Sequence, residues 1–462
     1  GGFLCAALAV ALALALRSAG TCATEPALTR RREVSPQAQA DCAPWPCKFG
    51  DARRSGTTEC VAPAKLPPPR WSYFTPALVY SVPLVDESSN VYVALTSGDV
   101  IALDPNGEVR WTYKTYVHSP TNPAIQDGIL FTSDAGGFGY ALDTRTGQPR
   151  WVRQVAGRSG GGNDAVAVGH GLVIFFQHIG ELGWTDEAEF IACEDSTGNE
   201  VWRSRVDSNY FNVVPAFADN GSSIVFTDQN GGTFKLETRT GRMLWSQPGF
   251  PFALSPLENW RGGVGMAPRS HSALALVGDG IVYSAGNPRP SRGRVRALSL
   301  ATGEVLWSRD LELMMGNGGA LRSIDGVPTL VFGIGISALH PIPESQPPFQ
   351  GKVYALDAST GATLWSFEAA PLTTWYAAGS VLSPACPLMN MPDSWSGPVI
   401  DGNGTVYIGF HTGTLYALNG RNGKLVSLYE TGEGMQAAPS IGPRGELIIC
   451  SGRTTHSFWH EP

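Results

Sequence analysis

Thirteen side chains combine a chemistry-bearing residue type with a place in a long, irregular stretch of the 462-residue chain. His178, Glu181, Trp184, Asp186 and Glu187 sit in QHIGELGWTDEAE; Trp260, Arg261, Arg269 and His271 lie in or just after 246–269. His340 falls in SALHPIPESQPPFQG, and Trp375, Tyr376 and Trp395 lie in or beside 366–394. Asp186, Glu187 and Glu189 offer oxygen ligands of the kind calcium takes, but their spacing follows no regular ligand pattern, so a solvated acidic loop is the favoured reading. His271 opens an apolar stretch and could line a channel, although a hydrogen-bonded structural histidine is the commoner use. The tryptophans offer flat faces to a ligand and equally well pack a long loop. No catalytic base, nucleophile or metal set can be assigned, and Gly160 to Gly162 and Gly262, Gly263 and Gly265 lack the strand–turn–helix setting of a phosphate loop.

The elements that must carry these stretches are far more regular. Tyr140 to Trp151 reads YALDTRTGQPRW, an apolar strand, a Thr-Gly turn and a second strand opened by tryptophan. Its turn glycine recurs as Gly107, Gly147, Gly198, Gly241, Gly303, Gly361 and Gly423, at spacings of 40 to 62 residues. Four residues after each of the first six stands Trp111, Trp151, Trp202, Trp245, Trp307 or Trp365; Ser427 takes that place in the seventh. A period of roughly 40 to 50 residues marks four-stranded propeller blades. Glycine gives the positive φ of a tight turn, and tryptophan plugs one blade against the next.

Between these turns run short strands with turn residues around them, such as YSVPLV, NVYVALT and DVIALD before Trp111. After Gly423 the chain supplies QAAPSI, ELIICS and HSFW but no fourth strand, while Trp71 heads an orphan strand at the other end. The expected architecture is therefore all-β: an eight-bladed β-propeller of four-stranded antiparallel blades over residues 69–462, its last blade closed by both termini, which removes an exposed sheet edge.

Composition agrees. The chain is 43% hydrophobic with 55 Gly and 34 Pro, a net charge of −7 and only 16% charged residues, so no basic face for nucleic acid is present. Residues 1–23 hold a 14-residue apolar run, Phe3 to Leu16, of signal-peptide length and too short to cross a bilayer; no other stretch is a candidate span. Residues 24–68 are polar and Pro-rich and read as an extended tether containing PWPCKFGDARRSG and a cysteine cluster, Cys42, Cys47 and Cys60. Behind a secretory leader a disulfide pinning this segment is expected, with Cys193 and Cys450 open to the reading of free buried thiols.

The repeat A-x-D-x-x-T-G-x-x-x-W resembles that of the pyrroloquinoline quinone (PQQ) repeat propellers, the quinoprotein alcohol dehydrogenase-like superfamily, over residues 43 to 462. Trp45, Pro46, Phe49, Gly50, Asp51 and Gly56 resemble the lead-in of many non-enzymatic or uncharacterised members. The superfamily includes quinoprotein dehydrogenases, a bacterial outer-membrane assembly lipoprotein and lumenal stress sensors, so the fold transfers further than the chemistry. A dehydrogenase of this type implies PQQ, calcium, a base carboxylate and often adjacent cysteines; adjacent cysteines and a haem-binding Cys-x-x-Cys-His do not occur here. The insertions fall between strands B and C or D and A, on one face, where binding loops belong. The expectation is a secreted or lumenal monomer that binds protein or glycan through that face without a cofactor, plastid delivery by a two-part leader being one route. The alternative is a PQQ- and calcium-dependent oxidoreductase, and a serine–histidine hydrolase stays open.

Overall fold

The computed structural model describes residues 28–30 and 42–460, apart from 119–120, 158–163, 179–187, 207, 209, 211, 229–230, 250–274, 290–291, 337–346, 384–385 and 389–393. Eight antiparallel sheets follow one another in chain order as blades, each running A, B, C, D from the axis outward, and a ninth, two-stranded sheet, Val381–Ser383 with Cys386–Leu388, lies in the connection from blade 6 to blade 7. Blade 2 is representative, with strands Ala124–Gln126, Ile129–Ser133, Phe138–Asp143 and Pro149–Gln154. Its B and C strands are buried almost throughout because blades stack on both faces, whereas strand D is exposed except for the buried Trp151 and half-buried Val152. The apolar core is accordingly a ring of inter-blade clusters: Tyr92 and Leu142 join blades 1 and 2, Phe190 and Phe226 join blades 3 and 4, and Val331 and Ile408 join blades 6 and 7.

The repeated glycine and tryptophan meet across blade boundaries. Trp111 of blade 1 donates its indole N–H to the Thr144 carbonyl in the turn of blade 2 at 2.9 Å. Its ring lies where a Cβ on Gly147 would stand, 2.6 Å away, and Gly147 has φ +71. The same joint recurs around the ring: Trp71, Trp151, Trp202, Trp245, Trp307 and Trp365 donate to Pro105, Asp195, Thr238, Leu300, Ala358 and Gly420 and cover Gly107, Gly198, Gly241, Gly303, Gly361 and Gly423.

Blade 8 is built from both ends of the chain. Ser440–Ile441, Leu447–Ser451 and Thr454–Phe458 are its strands A to C, and Trp71–Phe74 pairs as strand D, with Trp71 opposite Ser457 and Phe74 opposite Thr454. Leu28–Arg30 adds a fifth strand outside it. At the boundary between blades 7 and 8 no C to D turn exists to receive a tryptophan. Ser427 there donates to the Ala64 carbonyl and accepts from the Leu66 N–H, so the strap leading to strand D occupies the place an indole takes elsewhere.

Part of the segment read as a tether, residues 45–58, packs against the ring instead of extending from it. Residues 45–58 form a hub at the A to B end of the axis, where Trp45, Lys48, Phe49 and Arg54 are 1 to 3% exposed. Cys42 and Cys60 form the disulfide that closes it, and Cys47, Cys193 and Cys450 are free and buried. In blade 5 strands B and C are long, Ile281–Arg289 and Arg292–Ser299, and pair as far as Arg289 opposite Arg292. Asn220 and Asn403, the two N-x-S/T asparagines, are exposed in A to B turns of blades 4 and 7. Among the described residues no helix is long and apolar enough to cross a membrane.

Candidate functional site

Antiparallel alternation puts every A to B and C to D turn on one face and every B to C and D to A connection on the other. The long stretches singled out by sequence therefore share one face. Glu181, Trp184, Asp186, Glu187, Trp260, Arg261, Arg269, His271 and His340 lie outside the described residues. His178 ends strand B of blade 3, Leu172–His178, at that face.

Trp375 and Tyr376 are 56% and 42% exposed, in the connection from blade 6 to blade 7. Backbone bonds fix that connection: Thr374 Oγ1 donates to the Tyr376 carbonyl, Ala378 N to the His411 carbonyl at 3.1 Å, and Gly434 N to the Ala378 carbonyl at 2.9 Å. The two aromatic side chains thus sit, partly exposed, on a loop tied to blades 7 and 8. Trp395 is different. It is fully buried, its ring 4.2 Å from that of Phe410 and its indole N–H bonded to the Ile334 carbonyl at 3.0 Å. Gly333 and Gly351 make room for it, since a Cβ on either would lie within 2.8 Å of its atoms. It is a joint between blades 6 and 7, built with glycines far from it in sequence, and that is why spacing did not show its role.

Sequence reasoning did not place the polar groups around the hub. Asp164 is buried beside Lys48, accepts from Val213 N at 2.7 Å and has its carboxyl pushed up to about 7. Loss of solvation raises it, and the backbone N–H bonds and the Lys48 ammonium oppose that rise. Asn122 fixes blade 1 by accepting from Val82 N at 2.7 Å, and Asn317 crosses to the Gln436 carbonyl at 2.9 Å. At the opposite, loop-bearing end, in the B to C turn of blade 7, His411 is buried against Phe349 and Phe410 with neither ring nitrogen bonded, and burial pushes its pKa down to about 3. The available signal was PWPCKFGDARRSG itself, whose aromatic, Gly, Asp and Arg content is unusual for a linker.

Among the described residues, which do not include Asp186 and Glu187, no three His, Cys, Asp or Glu side chains gather to hold a metal ion. The buried carboxylate at the hub, Asp164, is committed to a backbone N–H and faces an ammonium, the reverse of a cation cage.

An eight-bladed ring with a Gly–Trp joint at successive boundaries defines a PQQ-repeat β-propeller. The chain belongs to the family described as outer membrane protein assembly factor BamB, whose model matches residues 71–186, 182–333 and 350–450. It is 24% identical over 255 residues to the outer membrane protein assembly factor BamB of Yersinia pestis, covering 54% of this chain and 57% of that one. It is 23% identical over 216 residues to the tetrathionate hydrolase of Acidithiobacillus ferrooxidans, covering 44% of this chain and 38% of that one. The chain thus spans well under two thirds of both curated relatives. The crystal structure of quinohemoprotein alcohol dehydrogenase from Comamonas testosteroni superposes with a TM-score of 0.64 at 14% identity, over 91% of this chain and 81% of that one, which is a likeness of fold.

Proposed function

We propose that the chain is a binding and scaffolding propeller that holds polypeptide on its loop-bearing face. The observation that carries this reading is the asymmetry of the two faces. The hub fills the axis at the A to B end, while Trp375 and Tyr376 stand exposed on an anchored loop at the other. Rigid exposed aromatics give contact area at low entropic cost, as polypeptide-binding surfaces require. The name of the Yersinia relative, an assembly factor for outer membrane proteins, supports a polypeptide partner. The Cys42–Cys60 disulfide supports an oxidising compartment.

Oxidoreduction and hydrolysis remain the competing readings because other similar proteins carry enzyme names. A direct test immobilises the full chain through an A to B turn and presents an unfolded β-barrel polypeptide, or a panel of glycans, to the loop face. Capture of the polypeptide that drops at least tenfold in the Trp375→Ala, Tyr376→Ala double variant supports the proposal. Retention of glycans alone would move the ligand class to carbohydrate, and no change on the double substitution would refute the site.

A further inference from the structure

The hub makes a nearly complete circuit of the ring through backbone bonds. Innermost strands leave their axial edge unpaired, and here that edge is met by the hub in each of blades 1 to 7. Val85 N donates to the Trp45 carbonyl, Ile125 N to Pro46, Phe217 N to Ala52, Val277 N to Arg53, Leu321 N to Ser55 and Ile400 N to Gly56, at 2.7 to 3.2 Å. Arg54 donates to the carbonyls of Val166 in blade 3 and Pro215 in blade 4, and to the hub's own Lys48 carbonyl. Asp51 holds the turn by accepting from the Ser55 N–H and hydroxyl. This is recognition of an extended, turn-bearing polypeptide by a ring of sheet edges, in the manner of strand addition.

The bound conformation is unfavourable for the free segment. Phe49 and Arg54 are non-glycine residues at φ +63 and +62, a region of real steric cost. The buried indole N–H of Trp45 has no hydrogen-bond partner, and the Lys48 ammonium is 1% exposed. What spans these residues is the Cys42–Cys60 bridge, 18 residues apart in sequence with Cα atoms 5.0 Å apart, enclosing the whole hub. Such a cross-link removes open alternatives and pre-organises the loop.

We propose that the A to B mouth of the ring is a polypeptide-binding site occupied in cis by residues 45–58, and that the Cys42–Cys60 disulfide holds it occupied, so that reduction makes it exchangeable with a second polypeptide of like chemistry. Reduction is a two-electron exchange with a dithiol: the dithiol gives up two electrons and two protons as its own disulfide forms, and Cys42 and Cys60 take them up as thiols. This site lies on the face opposite the loop site, so either proposal can fail alone.

The test follows hydrogen exchange of the full chain at the Val85, Ile125, Phe217, Val277, Leu321 and Ile400 amides, with a fluorescent disulfide-closed peptide of residues 42–60 as probe. In the oxidised chain these amides are protected and the peptide does not bind. After dithiothreitol, and in a Cys42→Ser, Cys60→Ser chain, they exchange on the order of a hundredfold faster. Amides between strands B and C stay protected in both, and the peptide, added to the Cys42→Ser, Cys60→Ser chain without dithiothreitol, binds at one site; the Arg54→Ala peptide does not. Unchanged protection after reduction would overturn the proposal. So would opening without peptide binding, and so would loss of protection through whole blades, which would make the hub ordinary core.

Discussion

Ser427 Oγ lies 2.6 Å from the Ala64 carbonyl oxygen and 3.0 Å from Leu66 N, where the other blades place an indole. The seventh repeat lacks its tryptophan because the strap to strand D of blade 8 already fills the boundary. Ser427→Trp should therefore destabilise, as an overpacked core does, by about 1–3 kcal/mol, rather than restore a missing joint. Denaturant unfolding measures this, and a stabilised variant would contradict it.

The joint at Gly147 makes a second comparison. Gly147→Ala meets the Trp111 ring at 2.6 Å and holds φ +71, whereas Gly171 has φ +78 with nothing within 4 Å of a Cβ. Gly171→Ala should cost about 1 kcal/mol from backbone strain, and Gly147→Ala at least about 2 kcal/mol more from the displaced ring. Equal melting temperatures for the two variants would show that the ring gives way freely.

Arg54 is the third position. Its guanidinium serves three buried carbonyls from the hub and blades 3 and 4. Arg54→Ala leaves them without a donor at about 1–3 kcal/mol each, less where water enters, and Arg54→Lys cannot reproduce the fork. Thermal unfolding should fall in both variants, further in Arg54→Ala.

Stability should also fall with acid through the seam of the ring. His456 of strand C in blade 8 bonds Ser72 Oγ of the N-terminal strand at 2.8 Å and Ser451 Oγ at 3.2 Å, with Tyr429 and Phe458 against it. Burial pushes it from 6.5 down to about 4. The unfolded chain then binds more protons below pH 6.5, so the contribution is full above 6.5 and is lost as pH falls from there toward 4, by about 3 kcal/mol at most. Asp164, raised from 3.8 to about 7, acts oppositely: its contribution is full below 3.8 and is lost as pH rises toward 7. Comparing wild type with His456→Gln isolates the histidine: on going from pH 7 to pH 4 the wild type should lose up to about 3 kcal/mol of unfolding free energy relative to the variant, whatever Asp164 adds to both.

The ring was legible because its information is local. Each Gly–Trp pair lies within five residues of sequence, and Trp71 declared the closing strand by the same grammar. Ser427 was visible as an exception, but its reason, a strap from more than 360 residues earlier, was not. The hub escaped for a similar cause: its Trp, Phe, Gly and Asp residues were noticed, yet the partners of the segment as a whole are spread over blades 1 to 7. Trp395 read as a surface aromatic because its glycine neighbours, Gly333 and Gly351, are distant in sequence. Of the loop-face candidates, Trp375 and Tyr376 are exposed side by side, and long connections between strands were the signal for them.

The central claim, a binding face rather than a quinone enzyme, is tested most directly by one paired titration of the full chain. Fluorescence anisotropy follows binding of a labelled unfolded β-barrel polypeptide before and after addition of PQQ and calcium, with dye reduction by alcohols and aldoses recorded in the same cuvette. The account predicts saturable polypeptide binding, weakened at least tenfold by Trp375→Ala with Tyr376→Ala, and no turnover. Dye reduction that requires PQQ, without polypeptide binding, would contradict it.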